Sequence, residues 1–210
     1  MHRLFRTLAV GGALLGGATL MALRPASPST IAASPSPELG PGMYEVDPGH
    51  TGIVFSIMHL GVTPFYGRFN KVGGAFVFGD DLSTSSVRIE IDAASVDTNS
   101  SQRDDHLRSP DFFNAKQYPQ IVFESSKIEA AGGDMYKVTG ELRLHGKSKE
   151  ITVPMQFHGE GDQGPRFGYR AGFSGEFTFD RTEFGMSTYA DTGTLGSEIR
   201  VMLGVEGKRK

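Results

Sequence analysis

Apolar and polar residues alternate along most of the chain after Met43, in short runs that turn residues separate. Ile53, Phe55 and Ile57 share one face of the first long run. The same alternation recurs in five later segments: residues 87–91, 136–144, 151–157, 167–179 and 199–205. A period of two is typical of antiparallel strands that turn one face to a common interior. The pattern therefore predicts an all-β domain.

One segment, residues 100–109, lacks this alternation and predicts a short helix. Asn99 or Ser100 suits the N-cap, and Pro110 ends the segment. About eight strands with one helix leave a sandwich or a barrel as the architecture. Glycines within the predicted strands suit the bends that closure needs, and a chain without Cys or Trp disfavours an immunoglobulin-type core. We therefore predict a closed, antiparallel, up-and-down barrel.

The N-terminus has the composition of an export signal. A basic start in residues 1–6 precedes residues 8–23, which carry no charge and are mostly apolar. This order is typical of a secretory signal, whereas a membrane span needs about 20 predominantly apolar residues. We expect a signal peptide over residues 1–33 and an exported protein, periplasmic or extracellular, with a permanent N-terminal membrane anchor as the alternative. Residues 34–42 indicate a Pro-, Ser- and Gly-rich tether, and residues 43–207 hold the barrel.

Composition removes several classes of function. The chain has 210 residues, a formal net charge of −3, no Cys, no Trp and 15 Phe. Without Cys, a disulfide scaffold, a Cys-based zinc site, an iron–sulfur cluster and a cysteine nucleophile are excluded. The mildly acidic charge does not indicate a nucleic-acid partner. An eight-stranded barrel is either filled by side chains or holds one small ligand, and a Phe-rich interior leaves both open.

Spaced motifs in the predicted barrel carry a family resemblance. They include Tyr44-x-x-Asp47-x-x-His50, Arg103-Asp104-x-His106-Leu107 and Tyr118-Pro119-x-Ile121-x-Phe123. Their order resembles that of the YceI-like family of bacterial proteins, whose known members bind polyisoprenoids in a lipocalin-like barrel. The resemblance covers about residues 43–207. It implies an exported, non-enzymatic carrier that holds an isoprenoid-type lipid, such as a polyprenol derivative or a quinone tail, in an apolar cavity.

The inward positions of the predicted strands, with Phe112 and Phe113 as an end plug, are expected to form the wall of that cavity. The expected ligand-binding residues are Phe55, Ile57, His59, Phe69, Val87, Ile89, Ile91, Phe112, Phe113, Phe123, Val138, Leu142, Phe173, Phe177 and Val201. Apolar pockets usually carry a few placed polar groups. The candidates for contact with a lipid head group are His50, Arg103, Asp104 and His106.

The alternative is a metal-dependent or acid–base enzyme acting on a lipid-like substrate. It would need His50, His59 or His106 to meet Asp47 or Asp104 in space. The sequence has no HExxH motif, no Gly-x-Ser-x-Gly elbow and no phosphate-binding loop. We therefore expect no catalytic residue, no metal site and no cofactor beyond the bound lipid. Transient contact with a membrane is a further expectation, and the pattern leaves the oligomeric state open.

Overall fold

A computed structural model of the protein describes residues 42–79 and 81–210. The expected signal peptide, residues 1–33, and the expected tether up to residue 41 lie outside the described residues. Among the described residues, no helix has the length and apolar character that crossing a membrane requires.

The described residues form eleven strands and one α-helix. In chain order these are β1 (Gly42–Val46), β2 (Gly52–His59), β3 (Thr63–Phe69), β4 (Val72–Phe78), β5 (Ser86–Asp92), β6 (Val96–Asp97), α1 (Ser101–Arg108), β7 (Gln120–Ala130), β8 (Met135–Leu144), β9 (Lys147–Asp162), β10 (Tyr169–Asp180) and β11 (Leu195–Arg209). β10 begins two residues later than the alternation indicates, because Phe167 still belongs to a turn in which its amide donates to the Gly164 carbonyl.

Six of these strands are halves of three longer, interrupted strands: β1 with β2, β3 with β4, and β5 with β6. On one edge, β4 pairs with β1 and β3 pairs with β2. On the other edge, β4 pairs with β5 and β3 pairs with β6. The order then runs through β7, β8, β9 and β10 to β11, which pairs with both β1 and β2. All of these pairings are antiparallel. The result is the closed eight-stranded, up-and-down barrel with one helix that the sequence predicts.

One end of the barrel is filled by aromatic side chains. Tyr44 stacks on Phe76 with ring centroids 5.0 Å apart, and Phe76 meets Phe173 edge to face at 5.0 Å. Phe78 packs against Phe157 in the same way, at 5.5 Å. All five residues are buried. Offset and edge-to-face ring pairs are the favoured aromatic arrangements, so this cluster is a stable floor for the interior.

The opposite end is covered by α1 and the residues that follow it. Ser100 is the N-cap, and the helix ends at Arg108, within the segment that the sequence predicts. Arg108 donates to the carbonyls of Ala94 and Val96, which fixes the helix beside β6. Phe113 then packs edge to face on Phe69, with ring centroids 5.5 Å apart. The interior therefore has a filled aromatic end and a helix-covered end.

Candidate ligand-binding site

The main cavity lies in the half of the barrel next to α1 and has a volume of about 310 Å³. Its wall is almost entirely apolar, and residues from β2, β10, β11 and the segment around α1 contribute to it. Ten of the residues predicted from the sequence lie in this wall: Phe55, Ile57, His59, Phe69, Ile91, Phe112, Phe113, Leu142, Phe177 and Val201. The volume is at the lower end of the ~300–1,000 Å³ that ligand pockets span.

Two smaller apolar cavities continue along the interior towards the aromatic end, with volumes of about 80 and 40 Å³. The first shares Ile91, Leu142, Phe177 and Val201 with the main cavity. The remaining predicted wall residues line these two spaces: Val87, Ile89, Phe123, Val138 and Phe173. All fifteen predicted residues thus surround one row of cavities, and their contact with a ligand stays a prediction.

Some of the inward side chains beside the main cavity are less buried than those of a filled core, although others, such as Phe55 and Leu142, are buried. Ile57, Phe177 and Ile199 point into the barrel yet remain partly accessible, whereas Phe76 and Phe173 at the aromatic end are buried. Protein interiors normally close such gaps, because each unfilled volume forfeits dispersion contacts. The partial accessibility therefore marks a space that apolar atoms of a ligand could fill.

Two of the predicted polar residues, Arg103 and Asp104, hold α1 against the barrel. Asp104 is buried, and its Oδ1 accepts hydrogen bonds from the amide of Thr98 at 2.9 Å and from its hydroxyl at 2.5 Å. Arg103 donates from Nη2 to the Thr98 carbonyl at 2.6 Å, and its guanidinium lies 4.2 Å from the centre of the Phe65 ring. Arg103 lines the main cavity, but Asp104 is absent from the walls of the three cavities.

His106 lies at the mouth of the main cavity, on the side of α1. Its Nε2 is 2.9 Å from Oδ2 of Asp111, and its ring meets Phe112 edge to face at 5.1 Å. Tyr189, from the loop before β11, completes a cluster of three rings, with its centroid 6.3 Å from that of His106 and 6.4 Å from that of Phe112. The side chains of His106 and Asp111 are 41% and 61% exposed, so this hydrogen-bonded pair lies at the surface end of the cavity.

Arg181, at the end of β10, also lines the main cavity and has no counterpart among the predicted site residues. It is 2% exposed, and its guanidinium donates to four carbonyls, those of Gly196, Met186, Thr188 and Leu195, over 2.5–3.3 Å. Burial lowers the pKa of Arg181. These carbonyls belong to the loop before β11 and to the first two residues of β11, so Arg181 holds this segment in place. No motif in the sequence marks this residue.

A second polar pair lies at the aromatic end and was also missed. The Tyr44 hydroxyl donates to Oε2 of Glu160, which is 116 residues away in the chain. Tyr44 is fully buried, and its burial, reinforced by Glu160, raises the pKa of this phenol. Tyr44 opens one of the motifs that carry the family resemblance, which is a signal for this tyrosine. Nothing in the sequence identifies Glu160 as the acceptor of its hydroxyl.

His50 meets Asp47, with Nδ1 3.1 Å from Oδ2, so the structure does form one of the pairs that the enzyme alternative needs. This pair lies away from His59 and His106 and is absent from the walls of the three apolar cavities. The eight residues of β2 separate His50 from the cavity end of the strand, a span of roughly 25 Å at about 3.3 Å per residue. His59 and His106 do both line the main cavity. Asp104, however, is bound to Thr98 instead of to either imidazole.

His50 belongs to a separate surface cluster with Asp47 and Glu206, whose ligand atoms lie within 4.8 Å of one another. The Arg170 guanidinium lies between the two carboxylates, with Nη1 at 2.5 Å from Asp47 and 3.0 Å from Glu206. Hydrogen bonds from Arg170 and His50 lower the pKa of Asp47 to about 2. A cation would have to displace this guanidinium, so the donor set fits an ion-pair network better than a metal site.

Fold and cavity together define a class: a closed antiparallel barrel with an apolar internal space that opens beside a covering helix. The comparisons with known proteins agree with this class. The model of the YceI-like domain matches residues 44–207, and this chain belongs to that family. A UPF0312 protein of Pseudomonas aeruginosa (strain LESB58) is 41% identical over 170 residues, which is 80% of this chain and 87% of the relative.

Solved structures show the same barrel. The crystal structure of Burkholderia cenocepacia BcnA is 29% identical and superposes with a TM-score of 0.70, covering 77% of this chain and 98% of that one. A polyisoprenoid binding domain from Saccharophagus degradans, implicated in plant cell wall breakdown, is 14% identical, with a TM-score of 0.62 over 81% of this chain and 100% of the domain. At this identity the second likeness shows the fold alone.

Proposed function

We propose that this protein is a non-enzymatic carrier that holds the hydrocarbon chain of an isoprenoid-type lipid inside its barrel. The observation that carries the proposal is the row of three apolar cavities that runs from α1 towards the aromatic end. A row of spaces with almost entirely apolar walls suits an elongated hydrocarbon chain better than a compact polar metabolite. Each methylene removed from water contributes about 0.8 kcal/mol, so a partly inserted prenyl tail would gain substantial affinity.

The resemblance to the YceI-like family, whose known members bind polyisoprenoids, supports an isoprenoid as the ligand class. The polyisoprenoid binding domain from Saccharophagus degradans shares the fold. The apolar wall leaves few polar atoms for a head group, so we place the head group at the mouth, beside Arg103 and His106. The N-terminal apolar segment, residues 8–23, supports export to the periplasm or beyond. The binding of Asp104 to Thr98 instead of to an imidazole, and the absence of a nucleophile motif in the sequence, favour carriage over catalysis.

Lipid identification tests this proposal. Protein purified from its own envelope is extracted with organic solvent, and the extract is analysed by mass spectrometry. We expect a prenyl lipid in amounts comparable to the protein. Geranylgeraniol added to delipidated protein should raise its melting temperature, because a ligand that binds only the native state stabilises it. An extract without lipid, together with an unchanged melting temperature, would contradict the proposal.

Two neighbouring positions of β11 provide a matched pair of variants. Val201 lines both the main and the second cavity, whereas Met202 pairs with Val54 on the alternate face of the strand. Val201→Phe should fill the passage between the cavities and reduce the melting-temperature gain from geranylgeraniol by at least about half. Met202→Phe introduces the same side chain on the other face and should leave that gain unchanged.

A further inference from the structure

The turn between β2 and β3 is apolar at its tip and projects from the rim of the main cavity. Leu60 is 58% exposed and Val62 is 81% exposed. The preceding residue, His59, lines the cavity. Exposed apolar side chains are common when they occur singly, but a contiguous group at the mouth of a cavity indicates an interaction surface.

The backbone at this tip is unusual for the residues it carries. Leu60 and Gly61 have φ values of 54° and 67°, and the amide of Val62 donates to the His59 carbonyl at 3.0 Å. A two-residue turn with both φ values positive favours Asn-Gly, and a bulky apolar residue at its first position is disfavoured. Leu60 therefore occupies a position where the fold itself would prefer Asn.

A second bulky residue at the rim of the main cavity also combines a positive φ with exposure to solvent. Tyr189 has a φ of 61° and is 47% exposed. The two residues are joined through the loop before β11: the Leu60 amide donates to the Thr194 carbonyl at 2.9 Å, and the amide of Leu195 donates to the Tyr189 carbonyl at 3.2 Å. Tyr189, Thr194 and Leu195 all line the main cavity. The strained apolar residues and the cavity mouth therefore form one surface.

The same hairpin carries no formal charge. Residues 48–67 contain no Asp, Glu, Lys or Arg, and this is the longest such run within the described residues. Burial of a charge in an apolar medium is costly, so a charge-free segment is the part of this chain that can leave water most readily. Backbone donors also need partners there, and the amides of Leu60 and Val62 are already hydrogen-bonded within the protein.

We infer that the turn at residues 60–62, with Tyr189 beside it, is a docking tip that inserts into the interfacial region of a lipid bilayer and brings the mouth of the main cavity to the membrane. A second copy of the chain fits less well, because a stable dimer buries about 20–30 residues on each side and the tip offers only a few. The net charge of −3 points to a docking driven by apolar insertion instead of attraction to anionic lipid. The function of the tip, which is to bring the cavity to the membrane, rests on the proposed lipid carriage. Binding of the tip to a membrane, however, is measured on protein without a carried lipid.

The chain contains no Trp, so a single introduced Trp reports on its own position alone. Val62→Trp places the reporter on the tip. Met135→Trp, in the full chain as well, places a matched reporter at the start of β8, at the opposite end of the barrel, where Met135 is 37% exposed. With phosphatidylcholine vesicles, we expect a blue shift and quenching by brominated acyl chains for the tip reporter and neither for the control. Because both proteins retain residues 8–23, adsorption through the N-terminus alone would not distinguish them.

Leu60→Asn, made in the Val62→Trp background, separates docking from folding. Asn suits the positive φ of this turn, so the melting temperature should stay the same or rise. The loss of one inserted leucine should raise the vesicle concentration at half-maximal blue shift by about tenfold. The melting-temperature gain from geranylgeraniol, measured without vesicles, should be unchanged.

Three results would overturn the docking tip. The tip reporter could stay in water when vesicles are added, both reporters could shift equally, or the tip reporter could shift with rising protein concentration in the absence of vesicles, which would identify a self-association surface. Each of these results is independent of geranylgeraniol binding. Failure of the docking tip and failure of lipid carriage are therefore distinguishable.

Discussion

Arg181 shows how a single side chain can support the cavity without serving as its recognition group. Its guanidinium is buried and satisfies carbonyls of the loop that carries Tyr189 and of the first residues of β11. A charge at such depth is tolerated because several hydrogen bonds compensate its desolvation, and a truncated partner leaves buried acceptors unsatisfied. Arg181 thus stabilises the loop that forms part of the rim of the main cavity.

We expect Arg181→Met to lower the free energy of unfolding by about 3 kcal/mol, since methionine fills the volume but leaves the carbonyls without donors. Chemical denaturation measures this change. Arg200→Met is the control: Arg200 is 54% exposed and pairs with the exposed Glu176, so its loss should change the free energy of unfolding far less than Arg181→Met does. Equal costs for the two variants would show that the Arg181 hydrogen bonds contribute no more than a surface ion pair.

The residues that sequence reasoning missed share a physical cause. Tyr44 and Glu160 are 116 residues apart in the chain, so no local pattern links them. Arg181 donates to backbone carbonyls, which every residue has, so the identity of its partners does not show in the sequence. Phe55 and Val201, by contrast, follow from alternation alone, because a strand's period of two assigns each side chain to a face. Strand periodicity could therefore predict the cavity wall, whereas the polar braces needed the three-dimensional structure.

At the scale of elements, α1 is joined to the barrel through Thr98. The helix is short, and an isolated helix of this length is marginal in water, so these tertiary bonds stabilise it. Asp104 supplies the buried acceptor for both the amide and the hydroxyl of Thr98. Because Leu107 and Phe113 line the main cavity, loosening of α1 would also open the mouth.

Asp104→Ala should weaken this attachment by about 2 kcal/mol, which corresponds to roughly thirtyfold faster hydrogen exchange for the amides of α1, with the strands of the barrel little affected. Hydrogen exchange followed by mass spectrometry or NMR measures the effect. Asp105→Ala is the matched control, because Asp105 is 77% exposed and pairs only locally, with Arg108. Exchange that is equally fast in both variants would show that other contacts, such as those of Arg108 with Ala94 and Val96, and not the Thr98 contact, hold α1.

The element boundaries were predictable to different degrees. Ser100 and Pro110 bracket the helix as the sequence predicts, although the Ser100 side chain makes no capping hydrogen bond. The interruptions at residues 47–51, 70–71 and 93–95 were not predicted. They divide three long strands without ending their pairing, and they depend on how the partner strands bend. The count of eight was recovered because β1 with β2, β3 with β4, and β5 with β6 each act as one strand of the barrel.

At the scale of the whole molecule, the barrel is closed without any covalent link. The chain has no Cys, and β1 meets β11 over three residue pairs, from Tyr44 with Arg209 to Val46 with Gly207. At this seam the aromatic end is packed against the backbone of β11. A Cβ atom added at Gly207 would lie 2.4 Å from Phe76 Cζ and 2.9 Å from Tyr44 Cβ. Both rings are fully buried, so neither can move aside without disturbing the aromatic cluster.

Gly207→Ala should therefore lower the free energy of unfolding by about 1–3 kcal/mol, the usual cost of overpacking a dense core. Gly204→Ala, three residues away on the same strand, is the control: its added Cβ has no neighbour within 4 Å, so the change should stay within about 0.5 kcal/mol. Closure makes the eight strands interdependent, and both variants should unfold in one cooperative transition. A second transition in Gly207→Ala alone would mean that the seam opens before the rest of the barrel, and that closure is not what holds the cavity together.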